Sequence, residues 1–308
     1  MGGSSFNSIR LTTSNVDGQK ILLEEIGGAL CVDQEEVWAD TSSVIFPNLP
    51  TSDPQTANQL WNDNGTLKIS LSLVTRQSDL VGWWKYNESS GSSAADSSST
   101  NNAGVSYNSW GDISAADWVI GKNGNCIEFD GGDAYVTVSS NEAYPASDFS
   151  LGAWVNLSAT ATHRTIFTSG HYYTAGSNGT WVFRVSDSNS SPKLVFYAYD
   201  GLSGIVSGTF SWAISCSTEE WHHAMFVHRD SSNVVDLYWD GVHLGSISIS
   251  GDLEDCANNG FETGVQAYGG DSYANYWAGK IDDVRMYDIA LTDAEVAAIY
   301  GSGSGDWP

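Results

Sequence analysis

The chain has 308 residues and carries 37 acidic against 12 basic side chains, a formal charge of −25. That balance repels phosphate backbones and anionic bilayers, so nucleic-acid binding and attachment to an acidic membrane surface are disfavoured. No apolar run approaches the ~18 residues that would span a bilayer, and the opening MGGSSFNSIRLTT lacks the basic start and apolar stretch of a signal peptide. The expectation is a protein made in a cytoplasm without membrane insertion.

Aromatic residues make up 12% of the chain, and glycine (32) greatly outnumbers proline (6), the composition of many short strands joined by turns. Cys31, Cys126, Cys216 and Cys256 form no CxxC pair. A zinc knuckle is therefore unsupported, buried thiols are the default, and a Cys216–Cys256 bridge stays open.

In chain order, residues 1–78 read as a small β-rich region. β-like runs occur at Phe6–Thr13, Gln19–Glu24 and Gly28–Val32, with an Asp17-Gly18 turn signal between the first two. A proline-bounded loop, PNLPTSDP, covers Pro47–Pro54. A hairpin over Gln59–Ser72 follows, with Asn64-Gly65 as its turn and Trp61 as an apolar anchor. Fewer than ~80 residues with so few apolar side chains make a marginal core, so this region is expected to pack against a second domain, identical chains or a partner.

From residue 79 the β signal strengthens. Strands are expected at Val81–Tyr86, Cys126–Asp130, Ala134–Val138, Phe149–Leu157, Arg164–Ser169, Thr180–Ser186, Lys193–Tyr199, Trp221–Arg229, Val234–Trp239, His243–Ile249 and Ala278–Tyr287. Residues 87–120 read as a long Ser/Asn/Ala/Gly loop region. Asp240-Gly241 carries the signature of a type I′ hairpin turn. One helix is expected near the end: Thr292 and Glu295 have the spacing of a capping box, Val296, Ile299 and Tyr300 supply an apolar face, and Gly301 stands where a glycine stops a helix. Residues 302–308 read as a flexible tail.

Three blocks then carry a resemblance. Leu80–Val105, containing VGWWKYNESSGSSAADSSSTNNAG, is similar to the opening strand and loop of laminin-G-like, concanavalin A-type jelly rolls, which are related to pentraxins. CIEFDGGDAYVTV followed by FSLGAWVNL (Cys126–Leu157) looks like that family's second strand pair, and GKIDDVRMYDIALTDAEVAAIY (Gly279–Tyr300) resembles its closing strand and helix. WHHAMFVHR in the middle also fits. The resemblance covers residues 80–301 and implies an all-β, antiparallel jelly-roll sandwich, preceded by the small β-rich N-terminal region. It is specific for fold and weak for function, because that fold hosts sugar binders, protein binders and structural modules. One departure is that Ser99-Thr100 stand where the family loop usually has Gly-Asn. A second resemblance lies in the N-terminal region: LPTSDPQTANQLWNDNGTLKIS resembles a segment of tailed-bacteriophage structural proteins.

The first family places the loop after the opening strand beside the closing strand. It thereby implies a structural Ca²⁺ site from Asp96, Asn102 and Asp283, with Asp130 as a further candidate or a turn cap. Asp283 is preferred to Asp282, because strict alternation would turn Asp282 to the side of Val284 and Met286 unless a bulge intervenes. Solvated turn carboxylates are the alternative. Pentraxin-like jelly rolls also take ligand contacts before the closing strand. Here Gln266, Tyr268, Asp271, Tyr273 and Trp277, with Tyr276, form an aromatic, polar loop suited to a sugar, the alternative being an ordinary aromatic-capped loop. Trp110 and Trp118 are a weaker candidate.

A glycoside hydrolase of this fold would need paired carboxylates. Glu128 and Asp130 share a face by parity, but Asp133 stands where such motifs have a glutamate. No catalytic residue is assigned. His222 and His223 are neighbours on a strand and point to opposite faces, which argues against joint metal ligation.

Together these readings describe a non-enzymatic phage virion protein, of capsid-decoration or fibre type. Residues 1–78 would anchor it to other virion proteins, and residues 79–301 would display a lectin-like jelly roll toward a cell-surface glycan. Homo-oligomers are expected, because the thin N-terminal region needs neighbours. The alternative is a free carbohydrate-binding module.

Overall fold

In a computed structural model, the chain divides into two compact units, Met1–Ser72 and Leu73–Pro308. The structure describes the strands of the first unit as backbone. In the second it describes residues 78–107, 117–139, 145, 147–158, 163–169, 180–187, 191–199, 210–249, 253, 260–267 and 273–301.

The first unit contains four antiparallel hairpins: β1 (Ile9–Thr13) with β2 (Ile21–Glu25), β3 (Cys31–Val32) with β4 (Glu35–Glu36), β5 (Trp38–Ala39) with β6 (Val44–Ile45), and β7 (Gln59–Asp63) with β8 (Thr66–Ser70). The last pairs Asp63 with Thr66 across the Asn64-Gly65 turn anticipated from sequence. The expected loop at Pro47–Pro54 and the tail at 302–308 lie outside the described residues.

The second unit contains β9 (Leu80–Trp84), β10 (Ser93–Ala94), β11 (Gly104–Tyr107), β12 (Trp118–Ile120), β13 (Asn125–Asp130), β14 (Tyr135–Val138), β15 (Phe149–Leu157), β16 (Arg164–Ser169), β17 (Thr180–Asp187), β18 (Pro192–Tyr199), β19 (Phe210–Ala213), β20 (Trp221–Arg229), β21 (Val234–Trp239), β22 (Val242–Ser248), β23 (Phe261–Thr263), β24 (Gln266–Ala267), β25 (Tyr273–Ala274), β26 (Ala278–Tyr287) and helix α1 (Asp293–Tyr300). Two eight-stranded antiparallel sheets result. Sheet I runs β10-β11-β14-β23-β16-β17-β18-β19. Sheet II runs β12-β13-β26-β15-β20-β21-β22, with β9 also paired to β26. Neighbours far apart in sequence, such as β13 and β26, lie side by side, as a jelly roll requires.

Alternation explains the core. Val136, Val138, Phe261, Phe167, Trp181, Phe183, Leu194 and Phe196 of sheet I meet Ile127, Phe129, Leu151, Val155, Phe226, Leu237, Ile281 and Met286 of sheet II in one buried cluster. Phe226 is its hub, with ring centroids 5.0 Å from Trp181, 5.1 Å from Phe196 and 5.3 Å from Phe183. At ~25 cal/mol per Å² of apolar area removed from water, a sandwich of such side chains dominates stability.

The outer face of sheet II has a smaller apolar patch, Met225, Val227, Tyr238 and Tyr287, covered by Val296 and Ile299 of α1. The helix starts as its sequence dictates: Thr292 accepts from the Glu295 amide, and Glu295 accepts from the Thr292 amide at 2.7 Å. Gly301 ends it with a left-handed φ of 58°. At the β21–β22 turn, Asp240 and Gly241 take φ values of 51° and 74°, the two positive angles of a type I′ turn.

Candidate functional site

Each residue singled out from sequence now has a place. Asp96 lies beside β9, bridged to Trp84, and is 7% exposed. Its Oδ1 accepts the amides of Trp83 (2.8 Å) and Ser98 (2.8 Å). Its Oδ2 accepts the hydroxyls of Ser98 (2.8 Å) and Thr100 (2.7 Å) and the amide of Asn102 (2.8 Å). Burial pushes this carboxyl up, but the amides and the Thr100 hydroxyl outweigh it and hold it below the usual aspartate value. Asp96 and Asn102 therefore do come together, with the Asn102 amide nitrogen donating to the carboxylate. The Asn102 side chain turns away, donating to the Ser139 carbonyl at 2.8 Å.

Asp283 lies across Trp83 from Asp96. It receives the Trp83 indole N–H at 2.5 Å and pairs with Arg285 through Oδ1 (3.1 Å) and Oδ2 (2.7 Å). Its φ of 52° breaks strand alternation, so the bulge left open by the parity argument is present. Asp282 is buried as well, and its Oδ2 accepts the amides of Lys122 and Asn123. Burial pushes it up to about 7, with its Asp283 neighbour adding to the rise and the amides opposing it.

Asp130 ends β13 and pairs in register with Ala278. Its Oδ1 accepts the amides of Gly132 (2.8 Å) and Asp133 (3.2 Å), which makes it a turn cap. Burial raises it, and these amides bring it below the usual range.

As placed, the four candidates do not fit a Ca²⁺ ion, which needs six to eight converging oxygens. The lone pairs of Asp96 already face N–H and O–H donors, Asp283 is neutralised by Arg285, and Asp130 caps a turn elsewhere. Among the described residues no group of three or more His, Cys, Asp or Glu converges on a point.

The ligand candidates divide differently. Trp277 is fully buried in the core between the sheets, not displayed for a ligand. The reason is local: its amide bonds to the Gly264 carbonyl, and this turns the side chain inward one residue before β26. Tyr268 and Asp271 lie outside the described residues. Gln266 and Tyr273 do come together with residues not anticipated. The Tyr273 ring stacks on Tyr135 with centroids 4.8 Å apart and planes 27° apart, and both tyrosines are half-buried. Gln266 is buried, and its Oε1 accepts the Asn275 amide at 2.7 Å and lies 3.5 Å from an Arg184 nitrogen. Asn275 takes a left-handed φ of 54°, and its carbonyl accepts the Thr165 amide at 3.0 Å. Arg164 donates to the Tyr276 carbonyl at 2.7 Å, tying the segment to β16. Gly264, with φ of 86°, makes the turn into it; a Cβ there would stand 2.7 Å from the Phe129 ring.

This rim leads onto the outer face of sheet I. Val136 and Val138 point into the core, so Tyr135 and Thr137 point outward. Register carries the row across the sheet: Thr137 opposes Glu262, Glu262 opposes Thr168, Thr168 opposes Val182, and Val182 opposes Tyr197. Glu262 is 9% exposed, and its Oε2 has no hydrogen-bond partner. Burial pushes its carboxyl up to about 8. Sequence reading missed Glu262, Arg184 and Tyr135. The three-residue β23 is too short to display a period, and nothing in FET marks its glutamate as buried.

The histidines behave as strand residues. His223 is buried and packs against Trp154 at 5.4 Å; burial and Arg285 push it down to about 4. His222 bonds Asp240 at 2.7 Å.

Two packed antiparallel sheets, closed by a strand–helix unit and bearing an aromatic–amide rim, define a lectin-type jelly roll. Residues 130–297 match the concanavalin A-like lectin/glucanases superfamily in its laminin G form, and the chain belongs to that superfamily. Solved structures agree on the fold. Domain 4 of AbnA, a GH43 extracellular arabinanase from Geobacillus stearothermophilus in complex with arabinotriose, aligns with a TM-score of 0.52 at 20% identity, over 72% of this chain and 98% of that one. The binding domain of botulinum neurotoxin serotype D aligns at 0.53 and 14% identity, over 75% of this chain and 52% of that one. A botulinum neurotoxin type C structure, whose cell entry depends on interaction with two ganglioside molecules, aligns at 0.54 and 14%, over 75% and 53%. The chain thus spans about half the length of those neurotoxin chains. No curated protein matches it.

Proposed function

We propose that this protein is a non-catalytic glycan-binding jelly roll, displayed on a bacteriophage particle and held there by its N-terminal unit. The observation that carries the glycan reading is the stacked, half-buried Tyr135–Tyr273 pair beside the Gln266–Asn275 amide pair. Sugars are bound by aromatic faces that cover their C–H surfaces and by planar amides that sort their hydroxyls. Structures sharing the fold point the same way, since one holds arabinotriose and another belongs to a protein that interacts with gangliosides. Particle attachment rests on the likeness of residues 49–70 to tailed-phage structural proteins.

The non-catalytic reading is supported by the placement of the described carboxylates. A retaining or inverting pair needs one carboxyl kept protonated and a second one ionised nearby. Asp130 is held ionised by turn amides, Glu128 is exposed on its strand, and Glu262 has no second carboxylate acting on it.

The test is binding of the full chain to a glycan array and to host cell-wall polysaccharide. Tyr135→Ala and Tyr273→Ala are each expected to weaken binding by about tenfold, the loss of one aromatic contact of about 1.4 kcal/mol. Unchanged binding in both variants would remove the rim from the reading.

A further inference from the structure

The connection between β12 and β13 reads Gly121-Lys122-Asn123-Gly124. It lies at the edge of sheet II, where Ile120 just before it is 84% exposed. The Gly121 amide donates to the Gly124 carbonyl at 2.8 Å, but residues 122–124 bend without closing a hydrogen-bonded turn in the other direction. Among the described residues the Gly124 N–H meets no hydrogen-bond acceptor, and Gly124 is exposed. Asn123 is half-buried, and its side-chain nitrogen makes only a long contact of 3.5 Å with Asp283 Oδ2. Gly124 has a left-handed φ of 89°, and a Cβ there would collide with Asn87 Oδ1, so the position after Asn123 demands glycine.

An asparagine side chain can be attacked by the backbone nitrogen of the residue that follows it. Glycine at that place leaves the nitrogen unobstructed, because no side chain stands beside it. In a folded chain the reaction is held back when that nitrogen is tied into a hydrogen bond, since the bond must first open. At Asn123-Gly124 the nitrogen is not tied. Asp240-Gly241 shows the opposite arrangement in the same molecule: the turn is hydrogen-bonded, and the Asp240 carboxylate is held by His222 at 2.7 Å and by the His223 amide at 2.9 Å.

We propose that Asn123-Gly124 is a site of spontaneous isoaspartate formation in the folded protein. The Gly124 nitrogen gives its proton to solvent base and attacks Asn123 Cγ. A C–N bond forms and closes a succinimide ring, and Nδ2 leaves as ammonia, taking a proton from solvent. One water then opens the ring at either carbonyl, giving an aspartyl chain or an isoaspartyl chain whose backbone runs through the former side chain. Both products set a carboxylate beside Asp282 and Asp283, where Arg285 is already paired with Asp283. The isoaspartyl form also adds a methylene to the main chain of the bend whose Lys122 and Asn123 amides cap Asp282 Oδ2 at 2.7 and 2.8 Å. The modification therefore loosens the join between the β12–β13 bend and the closing strand β26.

The experiment incubates the full chain at mildly alkaline pH, folded in buffer and, in parallel, unfolded in guanidinium chloride. The peptide that holds Asn123 is followed by mass spectrometry and by enzymatic detection of isoaspartate. Conversion in the folded chain is expected to run within about tenfold of the unfolded chain, because no local opening has to precede it. Isoaspartate should exceed aspartate among the products. The aged parent should melt at a lower temperature than the fresh one. Asn123→Gln, which lengthens the side chain and disfavours ring closure, should match the fresh parent in melting temperature and lose less of it on ageing. A folded rate slower than that tenfold margin would show that the fold protects the pair and would overturn the proposal. An Asn123→Gln chain that ages as far as the parent would overturn the loosening of the β26 join.

Discussion

Glu262 and Asp96 are both carboxyl groups in the interior, and their surroundings give them opposite charge states. Asp96 is encircled by backbone amides and hydroxyls, each a donor that stabilises the anion. Glu262 has only burial acting strongly on it, so it keeps its proton to about pH 8 instead of 4.5. Between those two pH values the unfolded chain has released a proton that the folded chain retains, so stability falls as pH rises across this window. Glu262→Gln removes the titration and keeps the shape. The melting temperature of the parent is therefore expected to fall relative to that variant from pH 5 to 8, with a constant difference above pH 8. Superimposable curves would mean that the carboxyl is ionised in the folded state. Asp282 adds a slope of the same sign up to about pH 7, and His223 an opposite one from about pH 4 to 6.5, but neither differs between parent and variant. Asp96→Ala orphans the amides that tie Trp83 to Ser98 and Asn102. A loss of about 2–3 kcal/mol is expected in urea unfolding, read as a lower midpoint at unchanged slope.

The elements that sequence announced were those whose signals are local. Thr292, Glu295 and Gly301 specify the ends of α1 through hydrogen bonds and a backbone angle within four residues of each end. Asp240-Gly241 specifies its turn by tolerating two positive φ values. Long strands such as Phe149–Leu157 and Trp221–Arg229 were legible to the residue, because enough apolar and aromatic positions repeat along them. Trp118–Ile120, Phe210–Ala213 and Phe261–Thr263 were not, since three or four residues show no period and these strands exist only through their neighbours. The bulge at Asp283 was equally hidden: it follows from pairing with both β15 and β9, not from any turn residue. Removing the cap by Thr292→Ala is expected to cost about 1 kcal/mol by denaturant titration. The loss should appear in the whole transition, because α1 covers Met225, Val227 and Tyr238 and does not stand apart.

At the scale of the molecule, the carboxylates that family likeness assigned to a cation are engaged by partners within the fold: Asp96 by amides and hydroxyls, Asp283 by Arg285 and Asp130 by turn amides. A Ca²⁺ ion at Asp96 would have to displace donors that already hold the carboxylate, and at Asp283 it would have to displace Arg285. The melting temperature of the full chain is therefore expected to be the same in millimolar calcium and in chelator. A calcium-induced rise that disappears in Asp283→Asn would show that the ion does enter there, since ligands of the native state raise its stability. The same view separates rim from core. Trp277 and Tyr273 lie four residues apart in one loop-like stretch, yet one fills the space between the sheets and the other stacks on β14.

Sequence by itself determined that this protein is an all-β sandwich closed by one capped helix, because strand periodicity, turn chemistry and capping act over a few residues and leave their marks in order. It also pointed to the segment before the closing strand, where Gln266 and Tyr273 lie. Which members of that segment turn inward and which stay at the rim, and that Tyr135, Arg184, Thr165 and Glu262 share the outer face of sheet I, was decided only by tertiary structure. Those residues come from four strands spread over 128 positions of sequence, from Tyr135 to Glu262, and only the register of sheet I sets them on one face. A carboxyl's charge state likewise depends on the donors folded around it, and Glu262 differs from Asp96 by its neighbours alone.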